Sequence, residues 1–271
     1  MSNGEPDWFI LLSGGKDSVV AAHMAYPALN QNYQKRPVVV YLDTGQVRLD
    51  AQRIYVEQLC DHYGWQLWTL RTHENYTQTV QKDGHPGANQ HSTIQNKLKG
   101  RQRGKLSTVS GDAHFITGIR WDESDNRAGT PKAHYDEGTR GWYYKPIAHM
   151  SEADLDTYIA EHDIPENPLW DAHHPTDCFC GAMGSPEELI EAEANGFEAF
   201  AQRIREIEES VEFHDRKGTW GWAGLSRQGR YQEDAKNDPN QLSLCGPSCS
   251  AYEPLKADGG TEQAGNAGEP E

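Results

Sequence analysis

The sequence has no apolar run long enough to cross a membrane. No window of its 271 residues approaches the ~18 apolar residues of a membrane-spanning helix. The opening stretch also lacks the positive segment followed by an apolar one that marks a secretory signal. Both absences predict a cytoplasmic protein with no membrane partner. The length allows one full α/β core and a smaller second module.

Basic residues are scarce. There are 25 Lys and Arg against 41 Asp and Glu, which gives a formal net charge of −16. A field of this sign repels nucleic acid and acidic membranes. The same acid-rich composition is typical of a protein from a high-salt cytoplasm. The charge therefore indicates either a partner that is not a polyanion or the habitat of the host.

Cysteine is scarce as well, and its five positions are unevenly spread. Cys60 falls with Val56, Leu59 and Tyr63 at helical spacing, which predicts a packed core position. The other four, called here the four late cysteines, are Cys178, Cys180, Cys245 and Cys249. Their C-x-C and C-x₃-C spacing favours a shared zinc or iron–sulfur site. The alternatives are a redox pair with Cys245 as nucleophile, or scattered free thiols.

Strands alternate with helices over the first two thirds of the chain, which predicts βαβ units and a parallel, Rossmann-like α/β sheet covered by helices on both faces. The carboxyl ends of such strands form the ligand-binding edge. The predicted strands are 8–12, 37–42, 65–70 and 114–119, and the predicted helices between them are 18–26, 50–63 and 90–100.

The last third reads as a small, mainly helical module. Ser151 and Asp154 form a capping-box-like helix start, Ser185 opens a second helix, and an apolar stripe from Phe197 to Ile207 continues a third. The final residues contain too little apolar surface to repay the entropy of ordering. We therefore predict an α/β domain at 1–165, a cysteine-containing helical module at 166–255, and a disordered tail at 256–271.

The first predicted strand runs into a polar, glycine-containing turn and then a helix. Backbone N–H groups at a helix N-terminus attract anions, glycines allow close approach, and lysine and serine side chains add donors. This pattern predicts a phosphate site, whereas the alternative is a plain βα turn. The turn consists of Ser13, Gly14, Gly15, Lys16, Asp17 and Ser18.

The turn resembles the pyrophosphate-binding loop of the adenine nucleotide α-hydrolase-like (PP-loop) superfamily. Three further stretches resemble its phosphoadenylyl-sulfate (PAPS) reductase-like branch: VVVYLDTGQ, ITGIRWDESDNRAG, and the long run from KPIAHM to ENPLWD. Together the matches cover roughly residues 8–181. The resemblance implies an enzyme of sulfur metabolism that binds an adenine nucleotide, ATP or PAPS, with Mg²⁺ as a further candidate ligand.

The resemblance also implies site residues at the carboxyl edge of the sheet. Arg120 and Arg127 follow the fourth strand and could clamp phosphate or sulfate oxygens, while a solvated charged loop is the alternative. Asp43 could bind magnesium or a nucleotide hydroxyl, or merely cap its turn. The remaining implied residues are Thr44, Gly45, His91, Lys99, Arg101, Glu123 and Ser124.

Five basic residues fall within positions 97–105, with no acid among them. In so acidic a chain, an anionic ligand or a solvated basic face accounts for this reversal of sign.

The sequence departs from the resembled family in its cysteine region. Assimilatory reductases end in Glu-Cys-Gly-Leu/Ile-His, whereas the nearest stretch here is Leu244-Cys245-Gly246-Pro247. The departure counts against sulfate reduction, whereas the motifs that imply nucleotide binding are unaffected. The first hypothesis is a PAPS reductase-like oxidoreductase that uses a thiol or iron–sulfur donor. The alternatives are ATP-dependent sulfur transfer to a nucleic acid, and a non-catalytic nucleotide-binding subunit.

Overall fold

A computed structural model describes residues 7–32, 36–111, 113–123, 127–170, 179–212 and 216–223. Within these ranges six strands form one sheet in the order β3-β2-β1-β4-β6-β5. The strands are β1 (Trp8–Leu11), β2 (Val38–Asp43), β3 (Leu67–Arg71), β4 (Ala113–Ile116), β5 (Ala133–Asp136) and β6 (Gly141–Tyr144). Strand β5 pairs antiparallel with β6, and every other pairing is parallel. The four predicted strands are confirmed as β1 to β4.

Helices connect the parallel strands and continue beyond them. They are α1 (Lys16–Pro27), α2 (Asp50–Tyr63), α3 (Tyr76–Asp83), α4 (His91–Gln95), α5 (Arg101–Ser110), α6 (Glu152–Glu161), α7 (Glu187–Ala194) and α8 (Glu198–Glu209). A π-helical turn at Asn96–Gly100 joins α4 to α5. The predicted helix at 90–100 therefore runs on to Ser110.

Local signals in the sequence set several of these boundaries. Helix α2 has the predicted bounds and ends at Gly64, whose φ of 65° suits a glycine C-cap. Helix α6 begins at a capping box, because Ser151 Oγ accepts from the Asp154 N–H and the Asp154 carboxylate accepts from the Ser151 N–H. The capping prediction for α6 is confirmed.

Both faces of the sheet are covered. One buried cluster packs β1 and β2 residues such as Ile10 and Val39 against α1, α2 and α6, and it includes Cys60. A second packs Phe9, Val40 and Phe115 beneath Leu106 of α5. These clusters confirm the Rossmann-like α/β class and the core position of Cys60.

The helices of the last third pack against the segments that follow β2 and β3. Ile204 of α8 and the buried Trp220 lie in one cluster with Val47, Tyr76 and Leu98. The predicted tail at 256–271, like every other residue after Ala223, lies outside the described residues. Among the helices that the structure does describe, none is both long and apolar enough to cross a membrane.

Candidate functional site

The turn between β1 and α1 folds around the hydroxyl of Ser18. Ser18 Oγ accepts from the backbone N–H groups of Ser13 (3.2 Å) and Gly14 (3.1 Å) and donates to the Gly15 carbonyl (2.9 Å). Gly15 is the extended N-cap of α1. The first-turn N–H groups of α1 have no acceptor four residues back in the helix. They lie at the carboxyl edge of the sheet, where an anionic ligand can accept from them.

Gly14 adopts a φ of 88°, and the amide of Gln52 fills the space where a β-carbon would stand. The Gly14 carbonyl accepts from Asn167 Nδ2 (3.1 Å) and Trp170 Nε1 (2.9 Å). Gln52 links the turn to Asn167, because its side-chain amide donates to the Ser13 carbonyl and accepts from Asn167 Nδ2. Asn167 and Trp170 therefore brace the turn from a segment more than 150 residues away in sequence. Sequence reasoning assigned them no role, although the ENPLW stretch was a visible signal.

Gly118 allows the segment after β4 to approach the turn. A β-carbon at Gly118 would lie 2.5 Å from the Asp17 carbonyl carbon and 2.6 Å from the Ser18 nitrogen. Two residues later Arg120, only 5% exposed, reaches back to the same helix start. Its Nε donates to Asp17 (2.5 Å) and its Nη2 donates to Glu152 of α6 (2.6 Å). Arg120 thus ties the turn to α6.

Asp17 is a perturbed carboxyl group. Burial and the nearby Glu123 raise its pKa to about 6, against the opposing effect of Arg120. Lys16 points the other way, toward α6, where its Nζ lies 2.8 Å from Asp156 and 3.5 Å from Glu152. Both predicted loop charges therefore contact protein groups in this structure. A ligand that recruits Lys16 has to compete with two exposed carboxylates.

A cleft of about 300 Å³ opens beside the turn. Its walls come from the carboxyl ends of β1, β2 and β4, from the helical segment between residues 95 and 103, and from the loop after β4. The lining residues are Leu11, Leu12, Ser13, Gly15, Asp17, Ser18, Val40, Tyr41, Leu42, Gln95, Lys99, Arg103, Thr117, Gly118, Ile119, Glu123 and Arg127.

Three cations and two carboxylates face this cleft. Asp17 already accepts from Arg120, and Glu123 accepts from the Arg127 guanidinium and from the Arg120 backbone N–H (3.1 Å). The three cations of the lining, Lys99, Arg103 and Arg127, outnumber its two carboxylates. The cleft is suited to an anionic ligand despite the negative charge of the whole chain.

Other predicted residues lie away from the cleft lining. Asp43 is buried and accepts from the Gly45 N–H (2.7 Å) and from Arg48 (2.8 Å), so it caps its turn and holds a guanidinium. Thr44 donates to the Val47 carbonyl (3.2 Å). Arg101 has a 64% exposed side chain that pairs with Glu74. His91 begins α4 and is not among the described residues that line the cleft.

The structure describes one of the four late cysteines, Cys180. Cys180 is buried in the cluster that also contains Trp220, and its carbonyl accepts from the Tyr76 hydroxyl (2.7 Å). Ser124 and the other three late cysteines lie outside the described residues. Within the described ranges, no group of three or more His, Cys, Asp or Glu side chains is arranged to hold a metal ion. A site for zinc or an iron–sulfur cluster stays a prediction.

Curated relatives of this chain are adenosine 5'-phosphosulfate reductases. The enzyme of Streptomyces coelicolor is 31% identical over 173 residues, which cover 60% of this chain and 66% of the relative. That of Allochromatium vinosum is 25% identical over 151 residues, covering 53% and 57%. That of Rhodococcus opacus is 38% identical over 69 residues, covering 26% and 28%. The chain thus spans less than two thirds of each relative's length.

Solved structures with similar coordinates include the phosphoadenylyl-sulfate reductase of Candida auris in a phosphate complex. Its TM-score is 0.46 at 17% identity, covering 63% of this chain and 80% of that one. The U34-tRNA thiolase NcsA of Methanococcus maripaludis, with its [4Fe-4S] cluster, has a TM-score of 0.45 at 14% identity, covering 90% and 76%.

The family comparison covers the 13–18 turn, the cleft and the helices beyond them. Residues 7–207, about three quarters of the chain, match the family described as the phosphoadenosine phosphosulfate reductase domain. The predicted resemblance to the PAPS reductase-like branch is therefore confirmed. This chain belongs to the phosphoadenosine phosphosulfate reductase domain family.

Proposed function

We propose that this protein binds an adenine nucleotide in the cleft and reduces its phosphosulfate group as an oxidoreductase of sulfur metabolism. The observation that carries the proposal is the meeting of the 13–18 turn with three cationic side chains in one cleft at the carboxyl edge of the sheet. The names of the curated relatives support adenosine 5'-phosphosulfate as the first substrate to test.

The two ends of the cleft suit the two ends of such a ligand. On the β1 and β2 side, Leu11, Val40 and Leu42 offer apolar side chains and strand-end backbone groups to a base and ribose. On the β4 side, Arg103 and Arg127 offer guanidinium forks, which match tetrahedral oxyanions. The turn lies between the two ends, where its backbone donors suit the phosphate that joins nucleoside to sulfate.

The reductive step needs a thiol. A cysteine thiolate that attacks the sulfur forms an S–S bond and breaks the S–O bond to phosphate, so that AMP leaves with the electron pair. A second thiol then attacks the cysteine sulfur and releases sulfite, and the two thiols end as a disulfide. Cys245 is the candidate nucleophile, and a small dithiol or a thiol protein is the candidate partner. The cationic end of the cleft would stabilise charge on the departing phosphate.

Calorimetric titration of the full chain with adenosine 5'-phosphosulfate, PAPS and ATP tests the binding. Sulfite and AMP release in the presence of dithiothreitol tests the chemistry. We expect a phosphosulfate nucleotide to bind more tightly than ATP and to yield equal amounts of sulfite and AMP. Tighter binding of ATP with pyrophosphate release would instead support sulfur transfer, and binding without turnover would support a non-catalytic subunit.

A matched pair of variants ties the activity to the cleft. Arg127→Met removes a cation from the lining, whereas Arg205→Met removes one from an exposed pair with Glu193 on α7. Charged hydrogen bonds contribute about 1.5–3 kcal/mol, so we expect Arg127→Met to weaken phosphosulfate nucleotide binding more than tenfold. Arg205→Met should leave the affinity unchanged. Equal affinities for both variants would contradict the placement of the substrate.

A further inference from the structure

The side chain of Lys16 contacts helix α6 rather than the cleft. Gly15 and Asp17, its neighbours in the 13–18 turn, belong to the cleft lining, whereas Lys16 does not. Its Nζ lies 2.8 Å from Asp156 Oδ1 and 3.5 Å from Glu152 Oε1, and both acids are on α6. The hydrogen bond to Asp156 raises the pKa of Lys16, so the ammonium group stays charged at neutral pH. The lysine of the turn is therefore occupied by two acids of the protein itself.

Helix α6 holds these two acids in place without help from Lys16. Glu152 and Asp156 are four residues apart, so they lie on the same face of the helix. Glu152 also accepts from Arg120 Nη2 (2.6 Å). On the buried side of α6, Leu155 packs in the cluster that includes residues of α1. The acids therefore stand in fixed positions, and Lys16, with its flexible side chain, is the partner that can move.

The contact between Lys16 and Asp156 is weak enough for a ligand to break. The Lys16 side chain is 31% exposed and that of Asp156 is 56% exposed. Solvent screens a pair as exposed as this one, and such pairs shift an equilibrium by up to about fivefold. A phosphate oxygen at the turn offers Lys16 a charge-assisted hydrogen bond in exchange, next to the backbone N–H donors of α1. A bound phosphate can therefore take Lys16 from Asp156, but its affinity is reduced by the loss of that contact.

We infer that Asp156 is an autoinhibitory residue, which keeps Lys16 away from the cleft until an anionic ligand displaces it. The inference rests on the proposed function, because it assumes that a phosphate of the nucleotide lies at the 13–18 turn. When only a fraction of the free protein has Lys16 available, the apparent affinity falls by that fraction. Asp156 should therefore weaken the binding of a phosphorylated nucleotide and leave the binding of neutral adenosine unchanged.

Calorimetric titration of the full chain with adenosine 5'-phosphosulfate and with adenosine tests the inference. Asp156→Asn removes the charge and keeps the size of the side chain. Glu161→Gln is the matched control, because it removes the same charge from an exposed residue at the last position of α6. At low salt, where exposed pairs are least screened, we expect Asp156→Asn to tighten adenosine 5'-phosphosulfate binding about two- to fivefold. The control should leave this affinity unchanged, and Asp156→Asn should leave the affinity for adenosine unchanged.

The Lys16→Met background shows whether the effect passes through the lysine. Lys16→Met/Asp156→Asn should bind adenosine 5'-phosphosulfate as Lys16→Met does, since no ammonium group is left for Asp156 to hold. An unchanged or weaker affinity of Asp156→Asn, an equal gain in Glu161→Gln or for adenosine, or a gain that persists in the Lys16→Met background would overturn the inference. Failure of the unaltered protein to bind any adenine nucleotide would instead overturn the proposed function, so the two failures are distinguishable.

Discussion

Replacement of Arg120 by methionine should show how much its ion pairs stabilise the 13–18 turn. The Arg120 side chain is 6% exposed, and its Nε donates to Asp17, whose side chain is 24% exposed. Its second partner, Glu152, is 55% exposed, so solvent screens that pair and it contributes little. The stability effect of Arg120→Met therefore depends mainly on Asp17, which is left in the protein interior without its cation.

Removal of one partner from a buried ion pair typically costs about 3–5 kcal/mol. Asp17 is partly exposed and can take up a proton, so we expect a smaller loss of about 2–3 kcal/mol at pH 8. The pKa of Asp17 is already raised to about 6, and Arg120 is a group that lowers it. Without Arg120 the folded-state pKa should rise further above its unfolded value.

The sign of the pH dependence follows from that shift. A carboxyl group with a raised folded-state pKa binds its proton more tightly in the folded state, so stability falls as pH rises toward that pKa. In Arg120→Met this window extends above pH 6. The destabilisation should therefore be largest at pH 8, and at pH 5, where Asp17 is neutral, it should shrink to about 1 kcal/mol.

Urea denaturation followed by circular dichroism at pH 5 and pH 8 measures both quantities. The double variant Asp17→Asn/Arg120→Met removes the buried charge altogether, so it should recover most of the stability lost at pH 8. Arg205→Met serves as the control and should change stability by less than ~1 kcal/mol, because its pair with Glu193 is exposed. A double variant as unstable as Arg120→Met would refute the reasoning.

Three further outcomes are expected. Trp170→Phe removes the hydrogen bond to Gly14, which should lower the unfolding free energy by about 1 kcal/mol and weaken nucleotide binding in calorimetry; unchanged affinity would show that the turn needs no brace. Gly118→Ala places a β-carbon against the Asp17 backbone and should abolish nucleotide binding, whereas Gly104→Ala, with open space around it, should be neutral or stabilising in thermal denaturation. If the four late cysteines share a metal site, anaerobic purification and elemental analysis should find about one zinc or about four irons per chain, and a metal-free protein with titratable native thiols would exclude the site.

The sequence by itself determined the fold class and predicted the edge of the sheet at which a ligand would bind. The alternation of buried strands with amphipathic helices specified parallel βαβ units, and that topology brings the strand ends to one edge. The glycine-rich turn after β1 and the basic stretch 97–105 were visible because local chemistry defines them. Helix α2 and the capping box of α6 had the predicted positions for the same reason, since caps and periodicity depend on neighbouring residues.

The sequence alone did not reveal β5 and β6. These two strands are only four residues each, and neither is a continuous buried run, because Tyr135 and Trp142 are exposed. The sheet supplies what the local sequence lacks, because β6 pairs in parallel with β4 and β5 pairs with β6. Strand formation at such a position depends on the partner more than on the segment itself.

Only the tertiary structure decided which charges face the cleft. Arg101 and Arg103 are two residues apart in one basic stretch, yet Arg101 pairs with Glu74 on the surface and Arg103 lines the cleft. Arg120 reaches Asp17 across 103 positions of sequence, and Trp170 reaches Gly14 across 156. Ion pairs and hydrogen bonds at such separations depend on how the sheet and helices pack. No local sequence pattern predicts these contacts, because they depend on which residues lie close together in the folded structure.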